Sequence, residues 1–320
     1  MTSFYPTQGG EMQIAVTGGL GFIGRNLATY FAKNTGDYQL HGVDWFENAR
    51  PQDFEGFSSL TQTCFTSKAA LDVLIQADVI VHLAATTTVA QSIVDPTASF
   101  QNNVVKTQTL LEELRNKNPD CHFIFASTGG AIIGDYAAPI HENLASRPLS
   151  PYGATKLAVE GMLSAYSGSY GMTTTALRFS NVYGPKSERK TSVISAFCKA
   201  YVEDKSINVH GDGKQTRDYV HVEDICAGIN SVVENRASGV FQLGTGLGTS
   251  VNDVLALLQN SDLSRRIDVR HCPEKPGEVR HNLCDITHAK NALGFDPQIR
   301  LPEGVRQTLD WYHNHAQGHS

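Results

Sequence analysis

A tyrosine and a lysine stand four residues apart within residues 150–156, which read SPYGATK. Proline suits the first position of a helix and serine the capping position before it, so this stretch predicts a helix that begins at Pro151. Residues four apart share one face of a helix, which places Tyr152 and Lys156 one above the other. A lysine cation beside a phenol favours the phenolate, so Tyr152 is a candidate acid–base group. The same spacing also fits a pair on a solvated helix, and the pattern needs support from the rest of the chain.

A glycine-rich turn follows the first apolar segment of the chain. Residues 13–17 are a predicted strand, residues 18–24 read GGLGFIG, and a helical pattern follows. Glycines spaced in this way allow a tight turn, a close backbone approach to a pyrophosphate and close packing of helix on strand. The free N–H groups at the start of the helix favour an anion. We therefore predict a dinucleotide-binding turn formed by Gly18, Gly21, Phe22, Ile23 and Gly24.

An aspartate, Asp44, ends the second predicted strand, residues 40–43. An acid about 20 residues beyond the glycine turn binds the hydroxyls of the adenosine ribose and repels a 2′-phosphate. The next residue is Trp45 rather than an arginine, so the sequence predicts NAD as the cofactor rather than NADP. The alternative is a polar residue that merely closes a strand.

Strands and helices alternate along the first half of the chain, which predicts an α/β fold with a Rossmann-type, doubly wound parallel sheet. His82, near the end of one apolar segment, is interpreted as a core histidine with satisfied hydrogen bonds. The last third has shorter elements and predicts a smaller α/β substrate-binding lobe. We place the NAD-binding domain at residues 1–178 and the second lobe mainly at 179–320, with part of 205–240 returning to the first. Further predicted strands are residues 63–65, 79–83, 122–126, 174–178 and 239–243, and predicted helices are 69–75, 97–116, 193–202 and 251–258.

Composition and charge exclude several classes of protein. The net charge of −6 argues against nucleic acid or a membrane surface as the main partner. No apolar run is long enough to cross a bilayer, and the first residues show no signal-peptide core. The six cysteines lack Cys-x-x-Cys spacing and the twelve histidines are scattered. We therefore expect reduced thiols, a cytoplasmic location and no metal site.

These features occur together with further motifs in a fixed order along nearly the whole chain. In this respect the chain resembles the extended short-chain dehydrogenase/reductase family, within it the NAD-dependent nucleotide-sugar epimerases and dehydratases, and among these the well-known UDP-glucose 4-epimerase type in particular. The motifs that carry the resemblance are Leu83-Ala84-Ala85, residues 103–107, Ser127-Thr128-Gly129-Gly130, residues 177–185, residues 217–224 and residues 276–280.

The resemblance implies a catalytic group of hydroxyl, tyrosine and lysine at Thr128, Tyr152 and Lys156, with Ser127 as the alternative hydroxyl. Lys156 would also hold the nicotinamide ribose. Arginines suit a diphosphate because of their forked donors, although they also form ordinary surface ion pairs. The other residues implied are Leu83, Ala84, Ala85 and Asn103 for the cofactor, and Asn181, Arg217, Arg280 and Asn282 for the nucleotide sugar.

Two positions depart from the family pattern. Ile133 stands before Gly134 where family members commonly carry a tyrosine, which is expected to reshape the sugar pocket. The segment Phe65-Thr66-Ser67 lacks the acid that usually lies near the adenine. Asn282 stands where a bulky residue would exclude N-acetylated sugars, and its intermediate size leaves the sugar undecided.

The function implied by the resemblance is a UDP-sugar 4-epimerase that acts through a transient 4-keto sugar. Its substrates would be UDP-glucose and UDP-galactose or their N-acetylated counterparts. A nucleotide-sugar ketoreductase and a 4,6-dehydratase are the enzyme alternatives, and the dehydratases carry an Asp-Glu pair where this chain has Gly129-Gly130. The non-enzyme alternative is an NAD(H)-sensing protein on the same fold.

The resemblance also implies a homodimer. Its interface would be a bundle of four helices, from residues 97–116 and 151–169 of each copy. The apolar residues expected there are Phe100, Val104, Leu111, Leu157 and Met162.

Overall fold

The computed structural model describes residues 11–34, 38–46, 49–136, 139–261, 267–273 and 280–316. Residues 276–279 of the last family motif lie outside this range. The strands are β1 Met12–Thr17, β2 Tyr38–Asp44, β3 Ser59–Gln62, β4 Val79–His82, β5 His122–Thr128, β6 Thr174–Phe179, β7 Asn181–Tyr183, β8 Ile207–His210, β9 Thr216–His221, β10 Gly239–Leu243, β11 Gly248–Ser250, β12 Val269–Cys272 and β13 His281–Asn282.

The helices are α1 Phe22–Asn34, α2 Lys68–Leu74, α3 Val89–Val94, α4 Pro96–Phe100, α5 Lys106–Lys117, α6 Gly129–Ile133, α7 Pro151–Tyr170, α8 Val193–Val202, α9 Val222–Asn235, α10 Val251–Ser261, α11 Thr287–Leu293 and α12 Leu301–Ala316. A 3-10 turn spans Pro51–Phe54. A π-helical turn, Gln101–Val105, joins α4 to α5. Among the described helices, none combines the length and apolarity that crossing a bilayer requires.

Seven parallel strands form the main sheet in the order β10-β6-β5-β4-β1-β2-β3. Strands buried on both faces carry near-continuous apolar residues, as β4 and β5 do. Hydrophobic clusters lie on both faces, one against α1 and α9 and the other against α5 and α7. The strand order reverses between β1 and β4, and ligands bind at the carboxyl ends of strands at such a point. The predicted Rossmann-type sheet is confirmed.

The second lobe has its own small sheets and its own core. Strand β9 pairs with β7, β11 and β13, and β8 pairs with β12. Helices α8, α10 and α12 cover a separate apolar cluster that includes Phe197, Val254 and Leu309. Strand β10 nevertheless returns to the edge of the main sheet. The division of the chain at residue 178 stays a prediction.

The predicted strand at residues 63–65 is wrong. The strand is Ser59–Gln62, which pairs with β2 at the edge of the sheet. This edge strand is partly exposed along its length, and Leu60 is the one apolar residue of Ser-Leu-Thr-Gln, so the segment carries little apolar signal. The apolar Phe65 lies in the turn that follows, with its ring centroid 4.9 Å from that of His82.

The predicted dimer face on residues 97–116 is wrong in part. Val104 and Leu111 are 8 % and 0 % exposed and pack beneath the main sheet, whereas Phe100 is 48 % exposed. The predicted helix at residues 97–116 is also interrupted, because the π-helical turn at Gln101–Val105 contains one residue more than an α-helical turn. Leu157 and Met162 are partly buried against the protein's own apolar clusters.

Candidate active site

A cleft of about 850 Å³ opens at the point where the strand order reverses. It runs from the ends of β1 and β2, past the end of β4, to the start of α7. Most of the predicted cofactor and catalytic residues line it. These residues are Gly18, Gly21, Phe22, Ile23, Gly24, Asp44, Leu83, Ala84, Ala85, Ser127, Thr128, Tyr152, Lys156 and Asn181.

The glycine turn has no room for side chains. Gly18 has a φ of +72°, and a Cβ atom there would lie 2.8 Å from the backbone nitrogen of Ala84. A Cβ atom at Gly24 would lie 2.4 Å from the oxygen of Gly19. The backbone can therefore come close to a bound pyrophosphate at the N-terminus of α1, where free N–H groups favour an anion. The residues present fit a dinucleotide.

Asp44 lies at the end of β2, as predicted, and faces the glycine turn. Its carboxylate accepts hydrogen bonds from the backbone nitrogens of Leu20 at 2.9 Å and Phe46 at 3.2 Å. Burial raises the pKa of Asp44, and these backbone hydrogen bonds oppose the rise. The hydrogen bonds hold the carboxylate in place at the rim of the cleft.

We expect the protein to bind NAD(H) more tightly than NADP(H), by about tenfold or more, a difference of 1.4 kcal/mol in binding free energy. The reason is the repulsion between the Asp44 carboxylate and a 2′-phosphate. The dissociation constants of NADH and NADPH can be compared by fluorescence titration. Equal or tighter binding of NADPH would contradict this role of Asp44.

Helix α7 begins as its sequence predicts. The Ser150 hydroxyl accepts a hydrogen bond from the backbone nitrogen of Gly153 at 3.2 Å, and Pro151 is the first helical residue. Lys156 is 3 % exposed, and its amine donates to the carbonyl of Ala126 at 2.8 Å. The amine lies 5.9 Å from the centre of the Tyr152 ring. Both residues line the cleft, which disfavours the reading as a pair on a solvated surface.

The expected effect of Lys156 on the pKa of Tyr152 stays a prediction, and burial acts in the opposite direction. Burial raises the pKa of the Tyr152 phenol well above its ordinary value. Burial also lowers the pKa of Lys156 to about 7, because removing a charge from water disfavours the charged form.

Two hydroxyls at the end of β5 differ in what they contact. The hydroxyl of Ser127 donates to Glu160 at 2.6 Å, inside the protein. The side chain of Thr128 is only partly buried, and it makes no capping hydrogen bond to α6, the helix that follows it. This difference favours Thr128 over Ser127 as the catalytic hydroxyl, and the role stays a prediction.

Asn103 holds the backbone around the site rather than lining the cleft. Its amide group bonds both the nitrogen and the oxygen of Thr86, at 2.7 and 3.0 Å, and donates to the hydroxyl of Thr155 at 3.1 Å. The Thr155 hydroxyl donates to the carbonyl of Tyr152. Ser92, which the sequence did not single out, accepts a hydrogen bond from the nitrogen of Tyr152 at 3.1 Å. The backbone of Tyr152 is therefore held from two sides.

His82 is a core histidine, as predicted. It is 1 % exposed, and its two ring nitrogens lie 2.7 Å from Thr17 Oγ1 and 3.0 Å from Thr107 Oγ1. Burial lowers its pKa to about 3, so the ring is neutral at physiological pH.

The predicted substrate residues fall in two places. Asn181 lines the cleft. Arg217 and Asn282 are partners in the register of β9 and β13, and Arg280 forms an exposed ion pair with Asp212 at 2.9 Å. Arg217 and Asn282 lie on the small sheet and Arg280 lies just before β13, and none of the three is among the residues that line the cleft. Asn282 lies against the start of α6, because a Cβ atom at Gly130 would lie 2.4 Å from its amide nitrogen.

Sequence reasoning missed an arginine beside the predicted ribose site. Arg189 reaches across from the second lobe, donates to the carbonyl of Leu20 at 2.9 Å and lies 3.8 Å from the centre of the Phe46 ring. It also forms an ion pair with buried Asp53 at 3.2 Å. Its charge opposes the rise in the pKa of Asp44. No local sequence signal connects Arg189 to residues so distant in the chain.

Known proteins resemble this chain in both sequence and architecture. Residues 14–244 match the model of the NAD dependent epimerase/dehydratase family. UDP-glucose 4-epimerase of Mycolicibacterium smegmatis is 29 % identical, over 96 % of this chain and all of that protein.

Two solved structures are similar over nearly the whole chain. UDP-glucose 4-epimerase of Thermotoga maritima, with UDP-glucose, is 30 % identical with a TM-score of 0.87, over 95 % of this chain and all of that one. UDP-glucuronic acid 4-epimerase of Bacillus cereus, with UDP-glucuronic acid and NAD, shows the same identity, TM-score and coverage. The family model covers well over half of the chain, and the glycine turn, Asp44 and the Tyr152–Lys156 helix all lie within the match. The chain belongs to the NAD dependent epimerase/dehydratase family.

Proposed function

We propose that the protein is an NAD-dependent UDP-sugar 4-epimerase. The observation that carries the proposal is the placement of Thr128, Tyr152 and Lys156 around one cleft that also contains the glycine turn and Asp44. The two solved relatives described above are UDP-sugar 4-epimerases, with UDP-glucose and UDP-glucuronic acid bound. UDP-glucose and its N-acetylated and uronic acid counterparts are therefore the first substrates to test.

Each catalytic side chain has one part in this proposal. Tyr152 exchanges the proton of the sugar C4 hydroxyl, and Thr128 hydrogen-bonds the same oxygen. Lys156 supplies positive charge beside Tyr152 and binds the nicotinamide ribose. When bound, NAD+ takes up and returns the hydride, and the positive charge of its ring favours the phenolate that burial otherwise disfavours. Asn181, Arg217, Arg280 and Asn282 are assigned to the nucleotide and sugar.

The glycine pair at the start of α6 favours epimerisation over dehydration. The dehydratases carry an acid–base pair where this chain has Gly129 and Gly130. A Cβ atom at Gly129 would lie 2.5 Å from the Gln242 side-chain oxygen, and one at Gly130 would lie 2.4 Å from the Asn282 amide nitrogen. Neither position has room for an acidic side chain unless these neighbours move. A sugar ketoreductase remains the second candidate because it needs only the same three catalytic groups.

A panel of UDP-, dTDP-, GDP- and CDP-sugars, followed by NMR, tests the proposal. The expected result is interconversion of C4 epimers of at least one UDP-sugar, with no net consumption of NAD. A 4-keto-6-deoxy product would indicate a dehydratase, and net oxidation or reduction of the cofactor would indicate a ketoreductase. Either result would overturn the proposal.

We also propose a homodimer, formed through the helices next to α7. Helices α3 and α4 pack on α7 and leave Ile93, Val94 and Phe100 exposed at 60 %, 85 % and 48 %. Exposed apolar residues on adjacent helices commonly mark an interface. On α7 itself, a Cβ atom at Gly161 would meet nothing within 4 Å, which leaves room for a neighbouring helix.

We expect light scattering at micromolar concentration to give the mass of two chains. The double variant Val94→Asp/Phe100→Asp should shift the mass to one chain, because charged groups are costly at an apolar interface. Leu247→Asp, at a site that is 69 % exposed on the other lobe, is the matched control and should remain dimeric. A wild-type mass of one chain would contradict the dimer.

A cytoplasmic location is proposed on chemical grounds. The six cysteines are free thiols, and Cys121, Cys198, Cys226 and Cys284 are buried. Unpaired cysteines are typical of proteins in reducing compartments.

A further inference from the structure

A buried polar cluster lies beneath the strand end that carries Thr128. Arg178 on β6 and Glu160 on α7 form an ion pair, with Nη2–Oε2 and Nε–Oε1 distances of 2.7 and 3.0 Å. The hydroxyl of Ser127 donates to the same carboxylate at 2.6 Å. The exposed fractions of Ser127, Glu160 and Arg178 are 4 %, 8 % and 4 %.

Stability does not explain this cluster. The desolvation of two buried charges commonly offsets their attraction, and apolar side chains of similar volume are often as stable or more so. Arg178 Nη1 and both polar atoms of the Gln242 side chain have no hydrogen-bond partner within the described residues. Gln242 and Arg178 are neighbours in the register of β10 and β6. The cluster is therefore more polar than a stable core requires.

The cluster is well placed to fix the catalytic geometry. Helix α7 is attached to the end of β5 by two hydrogen bonds one helical turn apart. The amine of Lys156 donates to the carbonyl of Ala126, and the carboxylate of Glu160 accepts from Ser127. Thr128 is the next residue of β5, and Tyr152 lies one turn before Lys156 on α7. The two hydrogen bonds therefore set the position of Thr128 relative to Tyr152.

We propose that Ser127, Glu160 and Arg178 are positioning residues of the catalytic centre, which hold Thr128 against Tyr152 and place a carboxylate charge beside Lys156. This inference rests on the proposed function. Arg178 acts by fixing Glu160 through two hydrogen bonds, and Glu160 acts on Ser127 and Lys156.

Several charged or titratable groups face Lys156. From its own helix these are Tyr152 and Glu160, and from β4 the neutral ring of His82. Lys106 of α5 lines the same cleft, and β5 contributes only the Phe125 ring, 4.5 Å from the amine, and a carbonyl. Glu160 raises the pKa of Lys156, against the larger effect of burial. Its charge therefore helps to keep Lys156 protonated near neutral pH.

Three variants separate the two parts of the proposal, which are the placement of Thr128 against Tyr152 and the carboxylate charge beside Lys156. Ser127→Ala removes one attachment of β5 and leaves the charges in place. Glu160→Gln keeps the shape and an acceptor for Ser127 but leaves the buried Arg178 cation without its carboxylate partner. Glu160→Gln/Arg178→Met removes both charges, so it avoids an uncompensated buried cation. Glu303→Gln, which breaks an exposed ion pair with Arg306 on α12, is the matched control.

In each of the three variants we expect kcat for epimerisation to fall by about 10- to 100-fold, the range that a small misplacement of reacting groups produces. KM and the amount of bound NAD should stay close to the wild-type values. The alkaline limb of the kcat profile should move to lower pH in Glu160→Gln, because loss of the carboxylate charge lowers the pKa of Lys156 further. It should stay shifted in the double variant, which also lacks the Glu160 charge, and stay in place in Ser127→Ala. A cluster that served only to support the fold would not move this limb.

Thermal unfolding identifies which variants are folded, and Ser127→Ala, the smallest change, keeps the test informative if Glu160→Gln is unstable. Unchanged kcat in the folded variants would overturn the proposal, as would an alkaline limb that stays in place in Glu160→Gln. Wild-type activity is measured alongside. A wild type that epimerises no sugar refutes the proposed function, whereas an active wild type with unaffected variants refutes only this inference.

Discussion

Tyr152→Phe is expected to reduce epimerisation by about 10²–10⁴-fold, the range that general acid–base catalysis contributes. The substitution removes only the hydroxyl that exchanges a proton with the sugar. The ring and its volume remain, so the fold should be preserved. The Tyr152 backbone, held by Ser92 and Thr155, is unaffected by the change. Bound NAD should therefore stay at the wild-type level while turnover is lost.

Product formation by NMR and bound NAD after gel filtration measure the two effects separately. Tyr170→Phe is the matched control, since Tyr170 ends the same helix and is 51 % exposed. If Tyr152→Phe keeps near-normal turnover, the catalytic centre is assigned wrongly and an NAD(H)-sensing protein becomes the better reading.

Lys156→Met is expected to lose both turnover and cofactor. Methionine fills a similar apolar volume, but it removes the donor to the Ala126 carbonyl, the positive charge beside Tyr152 and the proposed ribose contact. Turnover should fall by about 10²-fold or more. The dissociation constant of NADH should rise by about tenfold, as the loss of one charge-assisted hydrogen bond predicts.

The contrast between these two variants tests how the roles are divided. Lys117→Met is the matched control, because Lys117 is exposed and forms an ion pair with Glu113. A Lys156→Met protein that binds NADH as tightly as the wild type would remove the ribose contact from Lys156. The positive charge of Lys156 beside Tyr152 would then be the remaining reason for a loss of turnover.

The parts of the site that depend on residues close together in the sequence were predictable. Pro151 and Ser150 place the start of α7, and the spacing of Tyr152 and Lys156 then places both on one face. The glycine turn and Asp44 follow for the same reason, because β1, α1 and β2 are consecutive. Strand β3 was misplaced because an edge strand carries little apolar signal.

The parts that depend on tertiary contacts were not predictable. The shift in the pKa of Tyr152 reflects burial, which the spacing from Lys156 does not contain. Arg189 reaches Leu20 across the two lobes, and Arg178 reaches Glu160 from a strand to a helix. Glu160 stands four residues after Lys156, and this helical spacing was the one local signal that could have identified it.

The central claim is tested most directly by the fate of the hydrogen at C4 of the sugar. The best UDP-sugar of the panel is prepared with deuterium at C4 and converted by the wild-type protein in ordinary water. The account predicts that the C4 epimer retains deuterium at C4, because the hydride leaves and returns to the same carbon and only the hydroxyl proton passes through Tyr152. A product with protium at C4, or the absence of any C4 epimer, would contradict it.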